Sequence, residues 1–372
     1  MVTIGKMEET HPINILIRVP NWIGDAVMCL PALIDMREYF PRSTLTILAR
    51  PTIAAMLRGH SGIDEVLVYD HLGEHQGLMG FLKLVRIVQT KRFDCAVLFQ
   101  NAFEAAMIAF LSGISSRIGY ATDGRAWLLT QPVPCVNPVG LHHIHYYQQL
   151  VQRVTRVPFQ DRTPHLAVSS QEQAACENRF PDVFQPPEMM VIGINPGSVY
   201  GSAKRWLPER FAEVGDQLVE ALARASAGSL LVRCVIVGGP GEEAIGEDIA
   251  KRMRHSPVML SGKTTIREVM GVLTRCAVLV TNDTGPMHLA HALGVPVVAI
   301  FGSTDPRTTG PSVQLRDIVQ SPVRCSPCLL RACPIDHRCM VNVSVEQVFD
   351  RALVRLGNPP MVALNSPSRG TA

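Results

Sequence analysis

The 372 residues carry a formal net charge of +3, too mild a surplus to drive nucleic-acid binding by charge alone. Hydrophobic residues make up 47% and charged residues 18%, which excludes a disordered chain and predicts large buried cores. No uninterrupted apolar run reaches the roughly 18 residues of a spanning helix. Glu8, Glu9 and His11 precede the first apolar run, unlike a secretory signal, so a cytoplasmic protein is expected.

Short β-rich runs recur along the chain, separated by longer segments with helical patterning. The first half reads as strands at Ile13–Val19, Leu45–Ala49, Glu65–Tyr69 and Cys95–Gln100. The second half reads as strands at Met190–Ile194, Arg233–Val237, Val258–Leu260, Ala277–Thr281 and Val297–Phe301. Such alternation predicts parallel sheets with crossover helices. Near-continuous apolar strands predict sheets covered on both faces. A proline-rich break at Val157–Pro187, with a helix expected over Ser169–Arg179, divides the chain into two doubly wound α/β domains, residues 1–170 and 171–357. These are expected to face each other across a cleft. A last helix is expected over Ser344–Leu356, and residues 358–372 read as a disordered tail.

Polar and glycine residues collect just after the expected strands, where open parallel sheets hold ligands. The first such segment is Pro20-Asn21-Trp22-Ile23-Gly24-Asp25-Ala26. The second half supplies five more, beginning with Asn195 through Trp206, then Gly238–Glu243, Ser261–Thr265, Asn282–Gly285 and Gly302–Asp305. That domain is therefore expected to hold the larger polar ligand. Thr284 and Gly285 open an expected helix over Met287–Leu293, whose unpaired N–H groups suit a diphosphate. Asp283 caps that helix or meets a sugar hydroxyl; a plain N-cap is the alternative. Lys204, with Ser198 and Ser202 on the same loop, suits a phosphate. A solvated surface lysine is the alternative. Asp25 begins an apolar helix that Pro31 should kink. It suits a general base, or simply a carboxylate at a helix start. Neither G-x-G-x-x-G nor G-x-x-x-x-G-K-[ST] occurs, which argues against a dehydrogenase and a P-loop kinase. With no Asp-x-Asp pair in the chain, leaving-group charge falls to lysine, hydroxyls and helix starts, and no cofactor is required.

Taken together, these motifs resemble the lipopolysaccharide heptosyltransferases of glycosyltransferase family 9. The matching segments are Asn21–Asp25, Asn195–Gly197 through Lys204–Trp206, Gly262–Thr264 and Asn282–His288. Arg117–Tyr120 fits as well, and Cys325–Cys328 with Cys333-Pro334 resembles the heptosyltransferase II branch. The resemblance covers about residues 13–355. It implies a GT-B fold of two Rossmann-like domains, an acceptor-binding one followed by a nucleotide-sugar-binding one. It also implies inverting transfer from ADP-heptose to a lipid A–Kdo–heptose type acceptor. By position, Asp25 resembles the family's base and Lys204 its diphosphate and ribose contact. Asp283, Thr284 and Gly285 resemble its donor-binding turn, with His288 behind and Gly262 nearby. Glu243, or its neighbour Glu242, matches an acidic residue near the ribose. Arg18, Asn21, Arg117 and Arg125 are the candidates for meeting an anionic acceptor. Another transferase or an epimerase of the same architecture is the alternative enzyme.

The basic amphipathic stretch Lys83–Arg92 is a candidate for an anionic membrane surface, which would make the protein peripheral on the cytoplasmic face of the inner membrane. Its alternative is a solvated helix face. Six of ten cysteines are scattered, several in apolar runs, and read as buried thiols. Cys325, Cys328, Cys333 and Cys339 cluster with His337 between them. A structural zinc or an iron–sulfur cluster is one reading, packing thiols another and a disulfide a third, and the cluster would be the sensor if the chain were a nucleotide-responsive binding protein. His142, His143 and His145 read as the surface of a helix start.

Overall fold

The computed structural model describes residues 12–135, 140–312 and 314–357; the tail expected from residue 358 lies outside them. The chain forms two compact units. One ends at Val168 and takes in His291–Leu293 and a short segment beginning at Arg307; the other begins at Ser169.

The first unit is built on six parallel strands: β1 (Asn14–Arg18), β2 (Thr44–Ala49), β3 (Glu65–Val68), β4 (Cys95–Leu98), β5 (Ser116–Tyr120) and β6 (Gln131–Val133). Their order is β3-β2-β1-β4-β5-β6. The second unit repeats the plan with β7 (Met190–Asn195), β8 (Val232–Ile236), β9 (Val258–Met259), β10 (Cys276–Asn282), β11 (Val297–Phe301) and β12 (Ile318–Gln320), in the order β12-β11-β10-β7-β8-β9. Both are doubly wound sheets whose winding reverses beside the first strand of the unit, between β1 and β4 and between β7 and β10. A crevice for ligand opens outside the carboxyl ends of the strands at such a point.

The central strands follow from composition. Residues 15–18 of β1 and all of β4 are buried, as fits strands covered on both faces. Three strands were not legible. β5 carries Arg117 and Gly119 inside its span, which interrupts the apolar run. Little room is left at Gly119, since a Cβ would sit 3.1 Å from Arg125 Nη2 and 3.3 Å from Leu98 Cβ. β6 contains Pro132, tolerated at a sheet edge where no ladder donor is required, and β12 is an edge strand of 3 residues.

Helix ends obey local chemistry. Ser169, Thr265 and Ser344 each close a capping box, with Glu172, Glu268 and Gln347, ahead of helices Ser170–Arg179, Ile266–Arg275 and Val345–Arg355. Pro31 acts as expected: helix Ile23–Met28 ends at Cys29 and a second helix, Leu30–Tyr39, starts there. The proline ring has no N–H to bond the carbonyl four residues back.

Candidate functional site

The carboxyl edge of the second sheet gathers the residues of five loops. β7 ends in Asn195, whose Nδ2 donates to Thr281 Oγ1 at 2.9 Å. Asn282, at the end of β10, reaches back across the winding reversal. Its Nδ2 donates to the carbonyls of Pro196 (2.7 Å) and Gly197 (3.3 Å), and its Oδ1 accepts from the Trp206 N–H (2.9 Å). Buried Trp206 in turn donates its indole N–H to Val343 O. One buried asparagine thus fixes both ends of the loop that carries Ser198 and Lys204.

Lys204 meets Asp283 there, Nζ to Oδ2 at 2.6 Å, and Thr304 from the loop after β11 donates to the same oxygen at 2.6 Å. Both side chains of the ion pair are largely withdrawn from water, at 12% and 4% exposure. The ammonium also lies 4.8 Å from the centre of the Tyr200 ring, a cation–π position. A buried charge pair needs such added partners to offset its desolvation. The helix that follows runs Gly285–Ala292, so Thr284 and Gly285 stand at its start beside the pair, with His288 buried behind them.

Glu242 is the inward member of the glutamate pair. It is buried, accepts from the Gly239 N–H at 2.8 Å, and lies so close over Gly197 that a Cβ there would come within 2.1 Å of its carboxylate. Glu243, the residue expected from sequence, is exposed, and its carboxylate rests over Gly262. Ser198 is buried, whereas Ser202 is exposed. Five buried polar atoms on this edge have no protein partner: Asn195 Oδ1, Ser198 Oγ, Glu242 Oε1, Ser261 Oγ and Ser303 Oγ. Leaving such a group unmet costs about 1–3 kcal/mol. All five stand in or just after the strands of the second sheet.

In the first unit, Asp25 is the acidic residue in the first turn of helix Ile23–Met28. Its Oδ1 lies 3.1 Å from His143 Nδ1. Burial, then the Asp25 charge, hold the Tyr147 phenol far above its ordinary range, so Tyr147 stays neutral.

Arg18, Asn21, Arg117 and Arg125, the expected acceptor contacts, each hydrogen-bond within the protein. Arg18 is buried and donates to the carbonyls of Val19 (2.7 Å) and Leu48 (3.2 Å) and to Asn21 Oδ1 (2.7 Å). Arg125 is buried too and binds the carbonyls of Tyr120, Gln100 and Ala102. Desolvation pulls both guanidiniums down to about 10. Arg117 donates to Leu128 O and Ile114 O and lies over the Phe110 ring. These cations satisfy strand-end and loop carbonyls.

Helix Gly77–Thr90 carries the basic stretch. Lys83 pairs with Glu74 and Lys91 with Glu65, while Leu78 and Met79 are 74% and 78% exposed. Near the C-terminus, Cys325 is exposed, Cys328 and Cys333 are half-buried, and Cys339 is buried; all four are free thiols. Burial, then the neighbouring Cys325, Cys333 and Cys328, push the Cys339 thiol up. The His337 N–H donates to Cys333 Sγ at 3.2 Å. Among the described residues, no three His, Cys, Asp or Glu side chains come together as a metal-holding group.

The model of glycosyltransferase family 9 (heptosyltransferase) matches residues 81–338, well over half of the chain. The protein belongs to glycosyltransferase family 9. Among its relatives, lipooligosaccharide heptosyltransferase 2 of Haemophilus influenzae is 27% identical over 321 residues, covering 80% of this chain and 86% of the relative. Lipopolysaccharide heptosyltransferase 2 of Escherichia coli K12 is 26% identical over 317 residues, covering 80% and 85%. The structure of E. coli ADP-heptose LPS heptosyltransferase II superposes with a TM-score of 0.76 at 22% identity, covering 93% of this chain and 99% of that one. The two doubly wound units of this heptosyltransferase are therefore those of the GT-B fold. Sequence reasoning missed two contributors. Thr304 belongs to a segment already flagged as polar, but nothing marks which hydroxyl turns inward. His143 reads from sequence as the surface of a helix start, and only packing brings it to Asp25.

Proposed function

We propose that the enzyme transfers heptose from ADP-heptose to the inner core of lipopolysaccharide, with inversion, in a single displacement. Beyond family membership, the observation that carries this reading is the buried Lys204–Asp283–Thr304 cluster at the winding reversal of the second sheet. Placed beside the start of helix Gly285–Ala292, it supplies a lysine and backbone donors for a diphosphate. Glu242, with one carboxylate oxygen unmet, suits the ribose hydroxyls. Ser198, Ser261 and Ser303 add hydroxyls along the same edge.

In this reaction Asp25 removes the proton of an acceptor hydroxyl as that oxygen attacks the anomeric carbon. Lys204 and the turn at Thr284 stabilise the departing ADP. The acceptor is a lipid, and helix Gly77–Thr90 offers it a route. Leu78, Met79 and Leu82 are exposed beside exposed Lys83 and Arg86, the composition of an interfacial helix on an anionic membrane. The test is incubation with ADP-heptose and a heptose-deficient lipopolysaccharide acceptor, read by mass. The wild type adds one heptose, and Asp25→Ala adds none while still binding ADP. No mass gain from wild-type protein would refute the assignment of donor and acceptor.

A further inference from the structure

Asp25 has a partner 118 positions away in the chain. His143 Nδ1 lies 3.1 Å from Asp25 Oδ1. His143 begins helix His143–Thr155, which packs against the helix of Asp25. Residues one turn apart share a helix face, and Tyr147 anchors that face: it is buried, its ring 5.6 Å from that of Phe99. The Asp25–His143 pair itself is open, the two side chains being 27% and 33% exposed.

We infer that His143 is a positioning residue that sets the Asp25 carboxylate for proton abstraction; this rests on the reading of Asp25 as the base. A neutral imidazole with its proton on Nδ1 donates to Oδ1 and leaves Oδ2 to face the acceptor hydroxyl. In the transfer step the acceptor oxygen bonds to the anomeric carbon as the bond from that carbon to the diphosphate oxygen breaks. The electron pair leaves on the diphosphate, and the hydroxyl proton ends on Asp25. The imidazole neither takes nor gives that proton.

The other groups near the pair are engaged or neutral. Burial pushes Cys29, beside Asp25, and Tyr147 far up, and likewise raises Tyr146 and Tyr120 of β5. Burial pulls neighbouring His142 down to about 4. His145 turns to Asp161 at 3.4 Å. Asp35, on helix Leu30–Tyr39, is bound by Gln148 and Arg162. His143 is thus the side chain that holds Asp25 Oδ1.

The experiment is steady-state kinetics on the full chain for His143→Ala, His143→Asn, His143→Gln and Asp25→Asn. Alanine is expected to lower kcat about 10- to 100-fold, with donor KM within about twofold, because a misplaced reacting group costs on the order of 10²-fold. Asparagine, whose amide N–H stands where Nδ1–H stood, is expected to recover most of the rate. Glutamine, whose amide reaches the Nε2 position instead, recovers little. Wild-type rate in His143→Ala, or no recovery in His143→Asn, overturns the role of His143. An inactive Asp25→Asn alongside that result leaves the base reading standing, whereas full activity in Asp25→Asn removes both. Should His143→Ala not fold, the Asn and Gln variants decide: glutamine equal to or better than asparagine overturns the inference.

Discussion

Lys204 and Asp283 show how one pair serves both stability and binding. Each side chain is largely buried and satisfied by the other, with Thr304 and Tyr200 adding support. Removing one partner strands the other charge, a loss of about 3–5 kcal/mol for buried pairs. Lys204→Met should therefore lower the melting temperature and weaken ADP binding together. The double variant Lys204→Met/Asp283→Asn should regain most of the stability without regaining affinity, as calorimetry alongside ADP titration would show. Glu172 gives a purely structural counterpart. Arg267 donates to it and holds its carboxyl down at about 2, with the Ser169 backbone and hydroxyl assisting. Because the folded-state value lies below the unfolded one of about 4.3, the stabilisation is full above roughly pH 5. It fades as pH falls toward 2. Glu172→Gln should cost about 1 kcal/mol at pH 7, given the partial exposure of the pair, and little at pH 2 in matched denaturant titrations.

At the scale of elements, the last helix illustrates how a local signal is used by a distant core. Ser344 and Gln347 close a capping box, and Val345, Val348 and Ala352 enter the same core as Trp206, Ile300 and Val280. Helix Val345–Arg355 thus covers the strands whose ends carry the site. Ser344→Ala should destabilise the protein by about 1 kcal/mol, measured by urea unfolding, while leaving ADP affinity unchanged, since the cap touches no site residue. Helix Ile23–Met28 is the reverse case. It is short because Pro31 forces a break at Cys29, and Asp25 stands in its first turn because the helix begins at Ile23.

For the whole molecule, the same strand order appears twice, so each half presents loops at a winding reversal. Both units leave buried polar atoms without protein partners after their strands, Arg50 Nε and Thr122 Oγ1 in the first, Ser198 Oγ and Ser303 Oγ in the second; the first also ties Arg18 and Arg125 to carbonyls. The exposed apolar face of helix Gly77–Thr90 belongs to the first unit, and Leu78→Ser/Met79→Ser should reduce sedimentation with anionic vesicles several-fold while leaving ADP binding intact. Equal sedimentation of variant and wild type would detach this helix from any membrane role.

The apolar runs of β1, β4, β7, β10 and β11 and the helix caps were legible in the sequence, because burial on both faces and capping are local properties of composition. So were the motifs around Asp25, Lys204 and Asp283, which stand just after those strands. The strands interrupted by Arg117, Gly119 and Pro132 were not, since their pairing depends on neighbours far along the chain. Nor was the use of the arginines. A guanidinium suits a phosphate and a backbone carbonyl equally well, and only the fold, by burying Arg18 and Arg125 beside strand ends, chooses between them. The same holds for His143. Its residue type was plain in the sequence, but its 3.1 Å contact with Asp25 exists only because helix His143–Thr155 packs against helix Ile23–Met28. Local chemistry determined what each residue is able to do; long-range packing decided which partner it meets.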